Sequence, residues 1–324
     1  MLRVAVVGIG GIGSVHINNI KLINIAKIVA LCDLSKSAKQ KADELGVPLY
    51  DDLGHMLNSE NLDVVCICTP TFMHVNQVEM VLEKGVNVIS EKPLALNKKD
   101  AVRLLDLAKQ KNARLFVAYV VRFWNEYAIL RDIVREHRYG NLLDAQFLRL
   151  SACPQWVKGG WLFDKQKSGL IPFDLHIHDL DFIVSLFGRP KGYSFTSTGN
   201  KDKEYKEHYR FRYDYDDMTI SAEAAWFNAD IPFTMSYRAY FETAIVAYDG
   251  DKVMVYSFDA EPQQLNEKEE IVVETGINVP TTGAYYSELL HFLTCVNEDK
   301  DSDIFEDHQI IDVIEILEEI NEQI

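Results

Sequence analysis

No stretch of this chain approaches the run of about 20 apolar residues that a membrane span requires. Cysteine is scarce too. The five thiols, Cys32, Cys66, Cys68, Cys153 and Cys295, are an odd number in a long chain, which excludes a disulfide framework. Cys66 and Cys68 stand two apart in the strand-like run DVVCICTP, so alternation sends both to one face; packed, reduced thiols are expected rather than a metal or redox pair. Positive charge is in deficit: 33 Lys and Arg against 49 Asp and Glu leave a formal charge of −16. Nucleic acid and anionic membranes are repelled by such a surface, and neither is expected as a partner. Repeats, low-complexity tracts and long linkers are missing. The opening MLRVAVVGIGGIG enters a strand and a glycine turn at once, so no signal peptide is expected and the location is expected to be cytoplasmic.

What the chain does have is length and apolar content for two cores: 324 residues, 48% of them hydrophobic. Up to about residue 120, short apolar runs (LRVAVVG, AKIVALCD, LDVVCICTP, GVNVISEKP, ARLFVAY) alternate with segments whose apolar residues recur at three- and four-residue spacing. That alternation predicts βαβ units and a doubly wound parallel sheet over 1–120. Beyond it, helical patterns near 125–138 and 173–187 are followed by strand-like runs joined by polar turns such as YDYDDM and YDGD. An α+β domain with a large open, mostly antiparallel sheet is expected over 121–324. Two helical patterns close the chain, and the last of them is expected to be able to pack back on the first domain.

Gly8, Gly10 and Gly13 form G-x-G-x-x-G directly after a strand and open a helix. The first glycine permits the tight turn, the second lets backbone approach a pyrophosphate, and the third allows close helix packing, with free N–H groups at the helix N-terminus. The next strand ends in Asp33, 20 residues after Gly13, where a carboxylate would meet a ribose 2′-hydroxyl. The acid repels a 2′-phosphate, so NAD is favoured over NADP; Lys36 nearby reads as a solvated lysine. Lys92 falls at the end of a buried strand, between Glu91 and Pro93. A buried lysine needs a partner, a ligand or both, and Pro93 stiffens the turn and permits a cis bond.

GIGGIG, CTPTFMHVNQ, SEKPLAL, VVRFW and DLHIHDLD occur in this order, and with them the chain resembles the glucose–fructose oxidoreductase/inositol dehydrogenase (Gfo/Idh/MocA) family of NAD(P)-dependent oxidoreductases. The resemblance implies a Rossmann domain followed by an α+β domain whose open sheet forms a homodimer or homotetramer. It implies catalytic roles for Lys92, Asp174 and His178 around the reacting hydroxyl and the nicotinamide. It also implies cofactor contacts from Gly8, Gly10, Gly11, Ile12, Gly13, Asp33, Thr69, Pro70, His74, Glu91, Lys92, Arg122 and Trp161. His176 and Asn125 depart from the family pattern, in which a small residue and a proline are frequent.

DLHIHDLD, residues 174–181, admits three readings: a metal site, a solvated helix face, or a catalytic base with its partners. A regular helix places Asp174, His178 and Asp181 on one face and turns His176 away. The two histidines then do not converge, as a zinc site would want, and no metal is expected. His176 is expected to pack in the core or to support the site from behind. His178 is expected to take the proton of a secondary alcohol, Lys92 to donate to its oxygen, and Asp174 to orient the imidazole or hold a neighbouring hydroxyl. The substrate class is a sugar, cyclitol or related polyol, with Tyr237, Tyr285 and Tyr286 as candidate contacts. A cofactor-loaded sensor and a glycosidase using tightly bound NAD are the alternatives.

Overall fold

The computed structural model describes residues 1–267 and 271–324. These form two compact units, each described in turn. The first comprises Met1–Phe123 and Glu269–Ile314. Its leading part runs β1 (Leu2–Val7), α1 (Gly11–Ile20), β2 (Ala26–Cys32), α2 (Lys36–Leu45), β3 (Leu49–Tyr50), α3 (Leu53–Ser59), β4 (Val64–Ile67), α4 (Thr71–Glu83), β5 (Asn87–Glu91), α5 (Lys98–Gln110) and β6 (Leu115–Ala118). All six strands are parallel, in the order β3-β2-β1-β4-β5-β6. Strands buried on both faces must read as continuous apolar runs, and β4, VVCI, is buried at every position. The two-residue β3 is too short to show any period and is missing from the sequence-based strand list.

The second unit, Trp124–Lys268 with Glu315–Ile324, runs α6 (Asn125–Arg135), β7 (Leu142–Ala152), α7 (Lys165–Ser168), α8 (Ile177–Phe187), β8 (Gly192–Thr198), β9 (His208–Asp214), β10 (Thr219–Phe227), β11 (Thr234–Phe241), β12 (Ile245–Tyr248), β13 (Val253–Tyr256) and β14 (Gln263–Gln264). Its eight strands lie in the order β14-β13-β12-β11-β7-β10-β9-β8. Every pair is antiparallel except the central β7–β10. Strict alternation along β7 buries Ala145, Phe147, Arg149 and Ser151 and leaves Asp144, Gln146, Leu148 and Leu150 on the partly exposed outer face. The strand-like runs of the sequence, DAQFLRLSA, EHYRFRYDY, MTISAEAAW, PFTMSYRAYF, TAIVAYDG and DKVMVYSF, fall on six of these strands, leaving out polar β8 and two-residue β14.

Two helices close the chain, α9 (Ala284–Asn297) and α10 (Asp307–Glu322). The expected second domain over 121–324 does not hold together as one unit. Residues 269–314 return to the first, because α9 carries an apolar face: Leu289, Phe292 and Leu293 are fully buried, and Phe292 stacks on Phe116 of β6 at 4.7 Å.

Candidate active site

In an open parallel sheet, ligands bind beyond the carboxyl ends of the strands where the strand order reverses, here at β1 and β4. The glycine turn after β1 lies against the Cys68–Thr69 segment after β4. Gly8 has φ of +85°, and a Cβ there would meet the Cys68 carbonyl oxygen at 2.7 Å. A Cβ on Gly13 would fall 1.9 Å from the Gly8 carbonyl oxygen, so the third glycine is required for α1 to start so close to β1. Gly10, by contrast, has nothing within 4 Å of its missing side chain. No side chain caps α1 or α4, whereas Asp52 and Asn97 cap α3 and α5. An open glycine and two uncapped helix N-termini form a cradle suited to the pyrophosphate of a dinucleotide. Gly11 faces Ile277, which its missing Cβ would approach to 2.8 Å, a neighbour with no sequence signal.

Asp33 stands at the end of β2 and accepts from the backbone N–H of Ile9 and, at 2.6 Å, of Ser35. Each carboxylate oxygen retains acceptor capacity for a ribose hydroxyl. Lys36 is exposed at the start of α2. Thr69 and Pro70 are partly exposed before α4, and the Thr69 hydroxyl donates to Gln77.

The E-K-P turn follows β5. Lys92 is partly exposed, the Lys92–Pro93 bond is cis, and Glu91 is nearly buried. Glu91 Oε1 accepts from His16 Nε2 at 2.9 Å, and Oε2 accepts from the Lys92 amide at 3.3 Å. His16 was missed in the sequence; it is one turn into α1 and 75 positions from its partner.

Two residues expected to contact the cofactor turn out to be committed within the fold. His74 is 1% exposed. Its Nδ1 lies 2.7 Å from the Pro93 carbonyl and its Nε2 lies 2.8 Å from that of Thr69. Burial holds this imidazole below the ordinary histidine range, against the pull of the two carbonyls. Arg122 is 2% exposed; Nη1 donates to Ile304 O and Gln309, and the guanidinium sits 4.5 Å over the Phe305 ring. These partners hold Nη1 and the guanidinium plane within the first unit.

In the second unit, Asp174 lies in a single π-helical turn, Pro172–His176, that leads into α8. From Ser168 to Val184 every residue is buried except Asp174 and His178, which reach solvent. The solvated-face reading of DLHIHDLD therefore fails. Asp181 does not join the pair: it is fully buried. The π turn lies between Asp174 and α8, whereas His178 and Asp181 both lie inside regular α8, so burial alone sets Asp181 apart. His176 is fully buried with its ring 3.7 Å from, and parallel to, Phe211, and Nε2 shares a 2.5 Å hydrogen bond with the Tyr213 hydroxyl. Burial, reinforced by Arg149, pushes its pKa down to about 3, so it is neutral.

Next along the helix, Asp179 receives both arms of Arg149 from β7, at 2.7 and 2.9 Å, and Arg149 also donates to Tyr127. Burial works against this guanidinium's charge, but the Asp179 carboxylate more than offsets it. His176 and Asp179 thus fasten the start of α8 to the sheet, while Asp174 and His178 point away. Trp161 is partly exposed in a turn in which Gly159 and Gly160 both have positive φ. Tyr237 leaves the list of substrate contacts: it is buried and its hydroxyl donates to Glu126 O at 2.7 Å. Among the described residues, no cluster of three His, Cys, Asp or Glu could hold a metal ion, and no helix is long and apolar enough to cross a membrane.

Comparison with known proteins follows the same division. A family profile described as "Oxidoreductase family, NAD-binding Rossmann fold" matches residues 2–119, and the "GFO/IDH/MocA C-terminal domain" profile matches residues 127–246. The chain is 29% identical over 190 residues to myo-inositol 2-dehydrogenase of Thermotoga maritima, 58% of this chain and 55% of that protein. It is 32% identical over 195 residues to D-glucoside 3-dehydrogenase of Escherichia coli, again 58% and 55%. The chain thus spans little more than half the length of these curated relatives. Among solved structures, myo-inositol 2-dehydrogenase from Lactobacillus plantarum shares the fold with a TM-score of 0.82 at 20% identity, covering 99% of this chain and 96% of that one.

Proposed function

The chain belongs to the Gfo/Idh/MocA family of NAD-binding oxidoreductases, and from that membership we propose that it transfers a hydride between a secondary alcohol of a sugar, cyclitol or related polyol and a nicotinamide cofactor. The observation that carries the reading is the exposure pattern of the second unit. In seventeen successive residues of buried chain, the two that reach solvent are an aspartate and a histidine four apart. Such a pair, supported from behind by buried polar contacts, is suited to proton transfer.

Bound NAD supplies the hydride acceptor at its nicotinamide ring. The glycine turn and the N-terminus of α1 hold its pyrophosphate, and Asp33 accepts from its ribose hydroxyl, which favours NAD over NADP. Lys92 donates to the alcohol oxygen as negative charge develops there. His178 takes the hydroxyl proton. Asp174 orients that imidazole or holds an adjacent substrate hydroxyl. The names of the relatives make myo-inositol and glucosides the first substrates to try. The outer face of the eight-stranded sheet is the proposed contact with a second copy.

The test is NADH formation from NAD or NADP across a panel of inositols, sugars, glucosides and sugar acids. Turnover with NAD is expected to fall roughly 10²–10⁴-fold in His178→Ala and to vanish in Lys92→Ala. Tight NAD binding without reduction by any polyol would overturn the dehydrogenase reading.

A further inference from the structure

We propose that His16 and His74 act as positioning residues, a clamp that holds the turn bearing Lys92 from both sides. The inference rests on the reading of Lys92 as the group that meets the substrate oxygen. Lys92 is the one partly exposed residue in a buried run from Val88 to Ala95, and the residues on either side of it are tied down by different helices. Before it, Glu91 is held by His16 of α1 at 2.9 Å. After it, the Pro93 carbonyl lies 2.7 Å from His74 of α4, whose other nitrogen is 2.8 Å from the Thr69 carbonyl. The same ring lies against the turn after β4 and the turn after β5; neutral, it carries one N–H, which on this proposal goes to Pro93.

Neither histidine is placed to touch a ligand, since His16 is 0% and His74 1% exposed. Nor does packing explain them. His16 Nδ1 is buried with no hydrogen-bond partner. An apolar side chain would fill that volume without stranding a polar nitrogen. What a histidine adds at this position is the single bond to Glu91. The helix making it is the one whose N-terminus opens at the glycine turn, so the cradle for the pyrophosphate and the backbone of the reacting lysine are joined through one side chain.

The arrangement can be tested without any substrate. Trace acetylation of the intact protein with acetic anhydride, read by peptide mass spectrometry, gives the reactivity of Lys92 relative to exposed Lys27. Glutamine carries its amide nitrogen where histidine has Nε2, and asparagine where it has Nδ1. His16→Gln and His74→Asn therefore keep the donors to Glu91 and Pro93, whereas His16→Asn and His74→Gln remove them.

The relative reactivity of Lys92 is expected to shift at least threefold in the second pair and to stay near that of the parent protein in the first. Equal Lys92 reactivity across the folded variants would overturn the clamp, as would a shift shared by both members of a pair. Two independent sites keep the test decisive if one variant fails to fold. Turnover lost in Lys92→Ala but a flat labelling pattern would refute the clamp alone; a shifted pattern with no polyol turnover would refute the dehydrogenase reading alone.

Discussion

A histidine enclosed between a phenylalanine ring and a tyrosine hydroxyl has to stay neutral, and that leaves a pH signature. His176 has a native pKa of about 3, against an ordinary value of 6.5. Between those two values the unfolded chain binds a proton that the native chain refuses. Stability therefore falls as pH drops below about 6.5, by ~1.4 kcal/mol per pH unit from this group. Urea midpoints at pH 7 and near pH 5 should show a steeper loss in the parent protein than in His176→Gln; equal slopes would mean the ring is not held neutral. The glycines, Asp33, Lys92, Asp174 and His178 of the proposed site could be picked out in the sequence because each belongs to a short local pattern. The partners that hold them were not. Tyr213 is 37 positions from His176, and Glu91 is 75 from His16. No local spacing reports a contact made by the fold.

At the level of elements, α8 is bolted to β7 by the buried pair of Arg149 and Asp179. Removing one member of a buried ion pair leaves an uncompensated charge, so Arg149→Met is expected to cost about 3–5 kcal/mol. Replacing both, as Arg149→Met with Asp179→Leu, should recover most of it, and a double-mutant cycle by chemical denaturation measures the difference. Should the double variant prove no more stable than the single, the pair is not what fastens the helix. Alternation of strand and helix made the parallel sheet legible, and burial on both faces made its strands conspicuous. The π turn before α8 was not foreseeable. A regular period was assumed there, and the full burial of Asp181 had no local signal.

Over the whole molecule, the outer face of the large sheet carries a row in which Tyr240 of β11 pairs with Ile245 of β12, and Ile245 pairs with Tyr256 of β13. Tyr240 and Tyr256 are both exposed. Large apolar side chains aligned across three strands suit burial against a second copy. Tyr240→Glu with Ile245→Lys is expected to convert an oligomer to a monomer in sedimentation velocity, with NAD binding retained. An unchanged sedimentation coefficient would place the contact elsewhere.

The division of the chain has a consequence for biosynthesis. The first unit is written in two pieces, with almost the whole of the second unit between them. Its sheet leaves the ribosome by Ala118, but Phe116 meets its stacking partner only when Phe292 has been made. At 5–20 residues per second that is a delay of roughly ten to thirty seconds. During that interval the apolar surface later covered by α9 stands open on the nascent chain, which makes it the natural point of chaperone engagement. A fragment ending at Phe123 carries the same exposed surface permanently.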